Sequence, residues 1–329
     1  MADILVTGAA GFIGSRLSEV LIQQGHAVTG VDNLNESYDV RMKEYRLRKL
    51  QALQGFIFQK MDISDRMAVE SLPAFDAVIN LAARAGVRDS VADPWTFMET
   101  NLTGSLNLLE LARQRGIKKF VQASTAGIYG AKPPLPTPEA AESDHPLQPY
   151  AASKKSVEVL CHAYHFMHGL DVTIFRYFTV YGPAGRPDMV MFRFTKWIAE
   201  GQLVHLYGTG EQSRGFTYLD DIVHGTILGL KPMGYEIINL GGHEAISINQ
   251  MTAMLEELIG KKAQVVRHAA ARADILANWA DISKARRLLG WEPQTELIDG
   301  MRNLVDWYLG EREWAHEIRT ELDQVVEDE

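Results

Sequence analysis

Apolar residues in the first half of the chain follow two alternating periods. Short β-branched runs at Ile4–Thr7, Ala27–Val31, Phe56–Gln59, Ala77–Leu81, Phe120–Ala123 and Val172–Phe175 read as strands buried on both faces. Between them Ile13–Gln24, Arg41–Leu53, Asn101–Gln114 and Ala151–Met167 carry helical spacing, with Gly25 and Gly116 placed as helix C-caps. This repetition predicts an α/β fold built on a doubly wound parallel sheet with right-handed crossovers. Beyond about residue 180 the rhythm changes. Gly182–Asp188 is rich in Gly and Pro, and a helix is predicted over Met189–Ala199. Shorter elements follow at Tyr235–Leu240, Asn249–Ile259, Ile282–Leu289 and Leu297–Tyr308. They read as a smaller C-terminal α/β lobe over the carboxyl ends of the strands, where open α/β sheets bind ligands. The division expected is 1–180 for the nucleotide and the chemistry, and 181–329 mainly for substrate, with some chain crossing back. Glu321–Glu329 reads as a solvated acidic tail.

Composition adds exclusions. With 329 residues, 46% hydrophobic and 23% charged, the chain is globular and long enough to need no disulfide or metal staple. A net charge of −9 without a basic block argues against nucleic acid or an anionic membrane as partner. The one cysteine, Cys161, excludes an internal disulfide and suits a reducing compartment. No apolar run approaches the roughly 20 residues of a membrane span, and Met1–Val6 does not open a signal peptide. The expectation is a soluble, cytoplasmic protein.

The first strand runs into Thr7-Gly8-Ala9-Ala10-Gly11-Phe12-Ile13-Gly14, which opens the first helix. Gly8 permits a tight turn, Gly11 lets a pyrophosphate approach the backbone, and Gly14 allows close helix–strand packing, as in a Rossmann dinucleotide site. The anion then meets the free N–H groups of the helix N-terminus. The second strand ends in Val31-Asp32-Asn33. A carboxylate there accepts from the ribose hydroxyls and repels a 2′-phosphate, which favours NAD over NADP. Asp62, next to Ile63, lies after the third strand, either beside the adenine or as a helix cap.

Tyr150 and Lys154 stand one helical turn apart in Tyr150-Ala151-Ala152-Ser153-Lys154. An ammonium beside a phenol lowers its pKa, so that the phenolate can take a proton from a sugar alcohol as hydride leaves the same carbon. His162, His165 and His168 read as residues of a helix face and not as metal ligands; no metal is expected.

The chain resembles the extended short-chain dehydrogenase/reductase superfamily through Thr7–Gly14, Asn80-Leu81-Ala82-Ala83, Ser124–Gly130, Tyr150–Lys154 and Arg176–Gly182. Arg214–Asp221 and Ala280–Pro293 match its sugar-nucleotide enzymes. The resemblance implies that Thr125 shares the O4 hydrogen bond with Tyr150 and that Asn101 supports the active-site helix. It implies a cofactor wall of Leu81, Ala82, Ala83, Asn101, Ser124, Tyr150, Lys154 and Tyr177. It also implies a homodimer.

Related 4,6-dehydratases carry an Asp-Glu pair after the catalytic Thr, and related decarboxylases a glutamate in this stretch. Here Ala126 and Gly127 offer neither, which leaves C4 epimerisation of a UDP-sugar. Thr179-Val180-Tyr181-Gly182-Pro183 and Arg186-Pro187-Asp188-Met189 resemble UDP-glucuronate 4-epimerases, in which the residues matching Thr179 and Arg186 meet the C6 carboxylate. A guanidinium fork suits that carboxylate; the alternative for Arg186 is a loop pairing with Asp188. The resemblance further places Arg214 and Arg272 at the diphosphate and Arg88 on the substrate-side loop. The family's small hydroxyl residues after the catalytic Thr are missing at Ala126 and Gly127. Either backbone N–H groups or water replace them, or the sugar is a neutral hexose, as in UDP-glucose/UDP-galactose 4-epimerases.

Overall fold

In the computed structural model, which describes residues 1–242, 245–269 and 277–320, the first-half strands lie side by side as their periodicity predicts. They are β1 (Asp3–Thr7), β2 (Ala27–Asp32), β3 (Phe56–Lys60), β4 (Ala77–Asn80), β5 (Lys119–Thr125) and β6 (Asp171–Tyr177). Between them run α1 (Phe12–Gln23), α2 (Arg41–Gln51), α3 (Arg66–Glu70), α4 (Val87–Ala92), α5 (Pro94–Phe97), α6 (Gly104–Arg115) and α7 (Pro149–His168). All pairings in this sheet are parallel. With β10 (Tyr235–Leu240) the order is β10-β6-β5-β4-β1-β2-β3, so the winding reverses between β1 and β4 and opens a crevice at their carboxyl ends. Both faces are covered. Val6, Leu17, Val121 and Phe175 belong to one core, Leu5, Val78, Leu108 and Phe120 to the other. The strands read as unbroken apolar runs for that reason.

Two expectations need correction. Tyr235–Leu240, read among the elements of the smaller lobe, is β10 and extends the large sheet, pairing with β6 from Val172 to Tyr177. Its Ile238 and Leu240 are buried in the core that holds Phe175. Helix α9 (Leu219–Leu228) packs on α1 to complete the crossover, and α11 (Ser283–Leu289) packs on β10. Strand periodicity reports burial, not which sheet a strand joins. The segment read as one helix over Asn101–Gln114 instead opens with a π-helical turn over Met98–Thr103, and α6 follows. The physical reason is the side chain of Asn101, drawn inward by partners on two other segments.

The remaining chain forms the smaller lobe. A four-stranded sheet joins β7 (Thr179–Tyr181), β9 (Ser213–Tyr218), β11 (Ala245–Ser247) and β13 (Ala277–Asn278), and β8 (Leu203–Tyr207) pairs with β12 (Gln264–His268). Helices α8 (Val190–Glu200), α10 (Ile248–Ile259) and α12 (Leu297–Gly310) close over a core of Trp197, Met251, Leu255 and Leu304, with α13 (Arg312–Ala315) beyond. The histidines of α7 make ring contacts, His162 and His165 with Tyr235 and His168 with Tyr164. The acidic stretch Glu321–Glu329 lies outside the described residues.

Trp291 ties the segment after α11 to the large sheet. It is fully buried, and its indole Nε1–H donates to the Asp221 carbonyl at 2.9 Å. Trp291→Ala is expected to cost about 3–5 kcal/mol through the cavity left behind. Denaturant unfolding read at the large sheet should show the whole loss, because the residue belongs to that core.

Candidate active site

The cavity at the switch point has a volume of about 570 Å³ and runs along the carboxyl ends of β1, β2, β4 and β5. Its floor is the turn from β1 into α1. Gly8 has φ +69°, and a Cβ there would stand 2.8 Å from the Ala82 nitrogen. At Gly14 a Cβ would stand 2.1 Å from the Gly8 oxygen. Only glycine permits this approach of α1 to β1. It leaves the first N–H groups of α1 at the cavity, with no acidic side chain in the first turn. Gly8, Gly11, Phe12, Ile13 and Gly14 all line the cavity, as do Leu81, Ala82, Ala83, Ser124 and Tyr177.

Asp32 ends β2 as a buried carboxylate on the same wall. It accepts from the Ala10 N–H at 3.2 Å and the Leu34 N–H at 2.8 Å, with the Lys43 ammonium 3.8 Å away. Asn33, Asp62 and Ile63 also line this end. Asp62 accepts from the Ser64 N–H and O–H and from the Asn33 amide at 2.7 Å. Burial works to raise its carboxyl, and the hydrogen bonds from Ser64 and Asn33 outweigh it and hold the group below the usual range. The cap of α3 is Asp65, so Asp62 belongs to the cavity. Asn35, Ser37, Tyr38 and Lys43 complete this end and were not anticipated. The polar run Asn33-Leu34-Asn35-Glu36-Ser37 directly after Asp32 was the available signal.

The candidate catalytic residues come from β5 and α7. Thr125 ends β5, and its Oγ1 accepts from the Gly127 N–H at 3.1 Å. Proline at the first position of α7 sets Tyr150 and Lys154 one turn apart, and both line the cavity with Thr125. Ser153 between them donates to the Tyr150 carbonyl at 2.7 Å and accepts from the Asn101 amide at 2.9 Å. Burial raises the Tyr150 hydroxyl above its ordinary pKa, opposed by a hydrogen bond with Thr125 and by the positive charge of Arg186. Burial lowers Lys154 itself to about 8, against the pull of Cys161 and Glu158, which face it along α7. Glu158 accepts from Ser124 at 2.6 Å and from Arg176 at 2.7 and 3.0 Å, a buried pair behind the catalytic groups.

At the substrate end, Arg88, Ala126, Gly127, Thr179 and Arg186 line the cavity. Arg88 lies over the Tyr207 ring, 4.9 Å from its centroid. Arg186 pairs with Asp188 through Nε at 3.0 Å and Nη2 at 2.6 Å, and Nη2 also donates to the Ala85 carbonyl. The loop pairing considered for Arg186 is therefore real, yet the guanidinium still reaches the wall and acts on Tyr150. The Gly127 N–H is spent on Thr125 and is not a free replacement for the missing hydroxyls. Asp188 and Met189, from the same element as Arg186, also line it, and Arg193 and Asn278, which were not anticipated, come from chain segments that only the fold brings here.

Two residues, Asn101 and Arg214, stand off the cavity wall, and a third lies outside the described residues. Asn101 is fully buried away from the cavity wall, which Thr100 lines in its stead. Its amide is consumed by the Arg84 N–H at 2.8 Å, the Arg84 carbonyl at 3.0 Å and Ser153. It braces the loop after β4 against α7. Arg214 lies on β9 with Nη1 donating to the Ser213 carbonyl, off the cavity wall, where its strand neighbour Asn278 stands. Arg272 falls outside the described residues.

Residues 4–241 match the model of the NAD dependent epimerase/dehydratase family. A UDP-glucuronate 4-epimerase of Thermodesulfobacterium geofontis is 52% identical over 93% of this chain and 96% of its own. The crystal structure of a Bacillus cereus UDP-glucuronic acid 4-epimerase with UDP-glucuronic acid and NAD is similar with a TM-score of 0.87, at 36% identity over 94% of this chain and 99% of that one. A Thermotoga maritima UDP-glucose 4-epimerase with UDP-glucose also has a TM-score of 0.87, at 34% identity over the same shares.

The depressed Lys154 generates a test. Below pH 8 the folded protein carries the full cost of the buried charge. Between about 8 and the ordinary 10.5 the unfolded chain holds a proton that the folded one has shed, so stability rises with pH. Cofactor-free Lys154→Met should therefore exceed the parent at pH 7 by on the order of 3 kcal/mol, with the gap closing towards pH 10.5. Denaturant midpoints across that range check it; a gap independent of pH would refute the buried-charge account.

Proposed function

The chain belongs to the NAD dependent epimerase/dehydratase family, and on that basis we propose that it interconverts UDP-glucuronate and UDP-galacturonate by reversible oxidation at C4. The observation that carries this reading is Arg186. Its guanidinium stands on the cavity wall close enough for its charge to act on Tyr150, so a cation for the C6 carboxylate sits beside the base for O4. The 52% identity to a UDP-glucuronate 4-epimerase supports the same substrate.

The cavity residues fit NAD: the glycines whose Cβ atoms would clash, the open helix N-terminus and the Asp32 carboxylate. When bound, that cofactor accepts and returns the hydride. The chain's own residues manage protons and orientation. Arg186 and protonated Lys154 favour the phenolate of Tyr150, which takes the O4 proton on oxidation and returns it on reduction, and the Thr125 hydroxyl, hydrogen-bonded with Tyr150, turns to hold the same oxygen. Lys154 supplies positive charge to that corner while protonated. No acid or base stands at Ala126 or Gly127 to drive elimination, so the 4-keto sugar turns over and is reduced on its other face. A 4-keto uronate is a β-keto acid that loses CO2 when the carboxylate bond stands perpendicular to the ketone. The grip of Arg186 and Thr179 keeps it from that orientation. Bonds to Asp188 and Ala85 occupy Nε and Nη2, so a carboxylate is received at Nη1 or in exchange for Asp188.

Residues 1–180 carry cofactor and catalysis in this reading, and 181–329 mainly the substrate. The partner is a second copy of the chain, supported by exposed Val159, Phe166 and Met167 on α7 and Leu106 on α6. No described helix is long and apolar enough to cross a membrane. A cytoplasmic setting is supported by the buried free thiol of Cys161. One observation favours a second reading, UDP-glucose/UDP-galactose epimerisation: the wall at Ala126 and Gly127 lacks a hydroxyl, and the similarity to a UDP-glucose 4-epimerase structure is equal by TM-score.

Incubation with UDP-glucuronate and, separately, UDP-glucose decides between them, with products identified by NMR. UDP-galacturonate from the first alone is expected. UDP-galactose as the main product would transfer the assignment to the hexose, and a pentose nucleotide would mean decarboxylation. Arg186→Met should raise KM for UDP-glucuronate by roughly 10- to 100-fold, the worth of a charged hydrogen-bonded contact.

A further inference from the structure

Arg46 of α2 is a buried cation, 3% exposed, that lies outside the catalytic corner. Among the described residues it forms no ion pair. Backbone carbonyls and one hydroxyl meet its guanidinium instead. Nε and Nη2 donate to the Ala184 carbonyl at 3.0 and 2.7 Å, and Nη2 also to the Gly185 carbonyl at 3.1 Å. On the other edge Nη1 donates to the Ala10 carbonyl at 3.3 Å and to the Tyr38 hydroxyl at 2.8 Å.

These acceptors belong to two loops with different tasks. Ala10 sits inside the glycine turn, and its N–H donates to Asp32. Ala184 and Gly185 directly precede Arg186. Ala184 has φ +52°, a left-handed conformation that a residue with a Cβ adopts only when its surroundings impose it. The double bond from Arg46 to its carbonyl is such an imposition. Tyr38 closes the circuit, because its ring lies under Arg186, 5.5 Å from the guanidinium carbon, while its hydroxyl is held by Arg46.

The geometry points to Arg46 as a positioning residue that clamps the 184–186 segment to the cofactor turn, so that Arg186 stands ready for the sugar carboxylate. This rests on the reading of Arg186 as the carboxylate's partner. Arg46 touches neither substrate nor reacting atoms; it acts through the loop. The planar fork is needed because three carbonyls lie on two of its edges. A lysine at this position supplies one ammonium, which cannot reach both loops in those directions. The clamp also joins the two halves of the site: the turn that receives the cofactor holds the loop that receives the carboxylate.

The test compares the parent holoenzyme with Arg46→Lys, Arg186→Met and the double variant. Each is measured for KM and kcat on UDP-glucuronate, for UDP affinity and for bound NAD per chain. Arg46→Lys is expected to raise KM about tenfold with kcat within about threefold, and to leave UDP affinity and NAD content as in the parent. In the Arg186→Met background the same change should add less than about twofold, because the residue it positions is already gone. If Arg186→Met raises KM and Arg46→Lys does not, the clamp is refuted and the substrate reading stands. Loss of UDP affinity, NAD or kcat in step with KM would refute it too, as a general structural defect. If Arg186→Met leaves KM unchanged, the substrate reading itself falls, and the clamp's purpose with it. Should Arg46→Lys not fold, Tyr38→Phe removes one clamp bond and keeps the ring under Arg186. A raised KM that vanishes in the Arg186→Met background supports the clamp, and an unchanged KM overturns it.

Discussion

A steric condition at the end of β1 governs the rest of the molecule: α1 passes so close to the turn that a methyl group on residue 14 would meet the Gly8 carbonyl. That approach aims the helix N-terminus at the place where the winding of the sheet reverses. The consequences are geometric. The ends of β2, β4 and β5 all face one crevice, so Asp32, the Leu81–Ala83 segment and Thr125 share a cavity although nearly a hundred residues separate the first from the last. Helix α7, packed beside β5, then adds Tyr150 and Lys154.

The site concentrates charge where water is scarce. Lys154, Arg46, Lys43, and Glu158 with Arg176 are all buried near the cavity. Burying a charge is costly unless it is paired or hydrogen-bonded, and each is met differently. Glu158 and Arg176 neutralise one another, Arg46 is held by carbonyl dipoles, and Lys43 lies near Asp32 and donates to Asn35 at 3.0 Å. Lys154 bears most of its cost unrelieved, which places its titration near 8, where a change of protonation is accessible. A cavity of this kind strengthens each electrostatic contact with a bound sugar nucleotide.

Much of this was legible along the chain. The glycine turn, the strands β1 to β6, Asp32 and the Tyr150–Lys154 pair rest on local chemistry: turn conformations, unbroken β-branched runs, 3.6-residue periods and one helical turn of spacing; Thr125 came from the family resemblance. What local pattern could not carry was the partner of each group. Tyr235–Leu240 reads as a strand by composition, but that it pairs with β6 depends on α9 completing a crossover. Asn101 reads as a polar helix residue near a cofactor; its inward amide bonds to Arg84 and Ser153 draw it off the wall and widen the helix into a π turn. Spacing puts Lys154 one helical turn from Tyr150, but only the fold brings the positive charge of Arg186 to act on the same phenol.

The sequence by itself determined the fold class, the cofactor turn and the candidates for catalysis, because these are properties of short segments whose backbone geometry their residues dictate. The tertiary structure alone decided which charges meet. The charge of Arg186 acts on Tyr150, Asp188 shares its fork, Arg46 bridges residues 10 and 184, and Asn278 comes to line the cavity. Electrostatic contacts depend on distances of a few ångströms between segments far apart in the chain, and no local pattern encodes those distances.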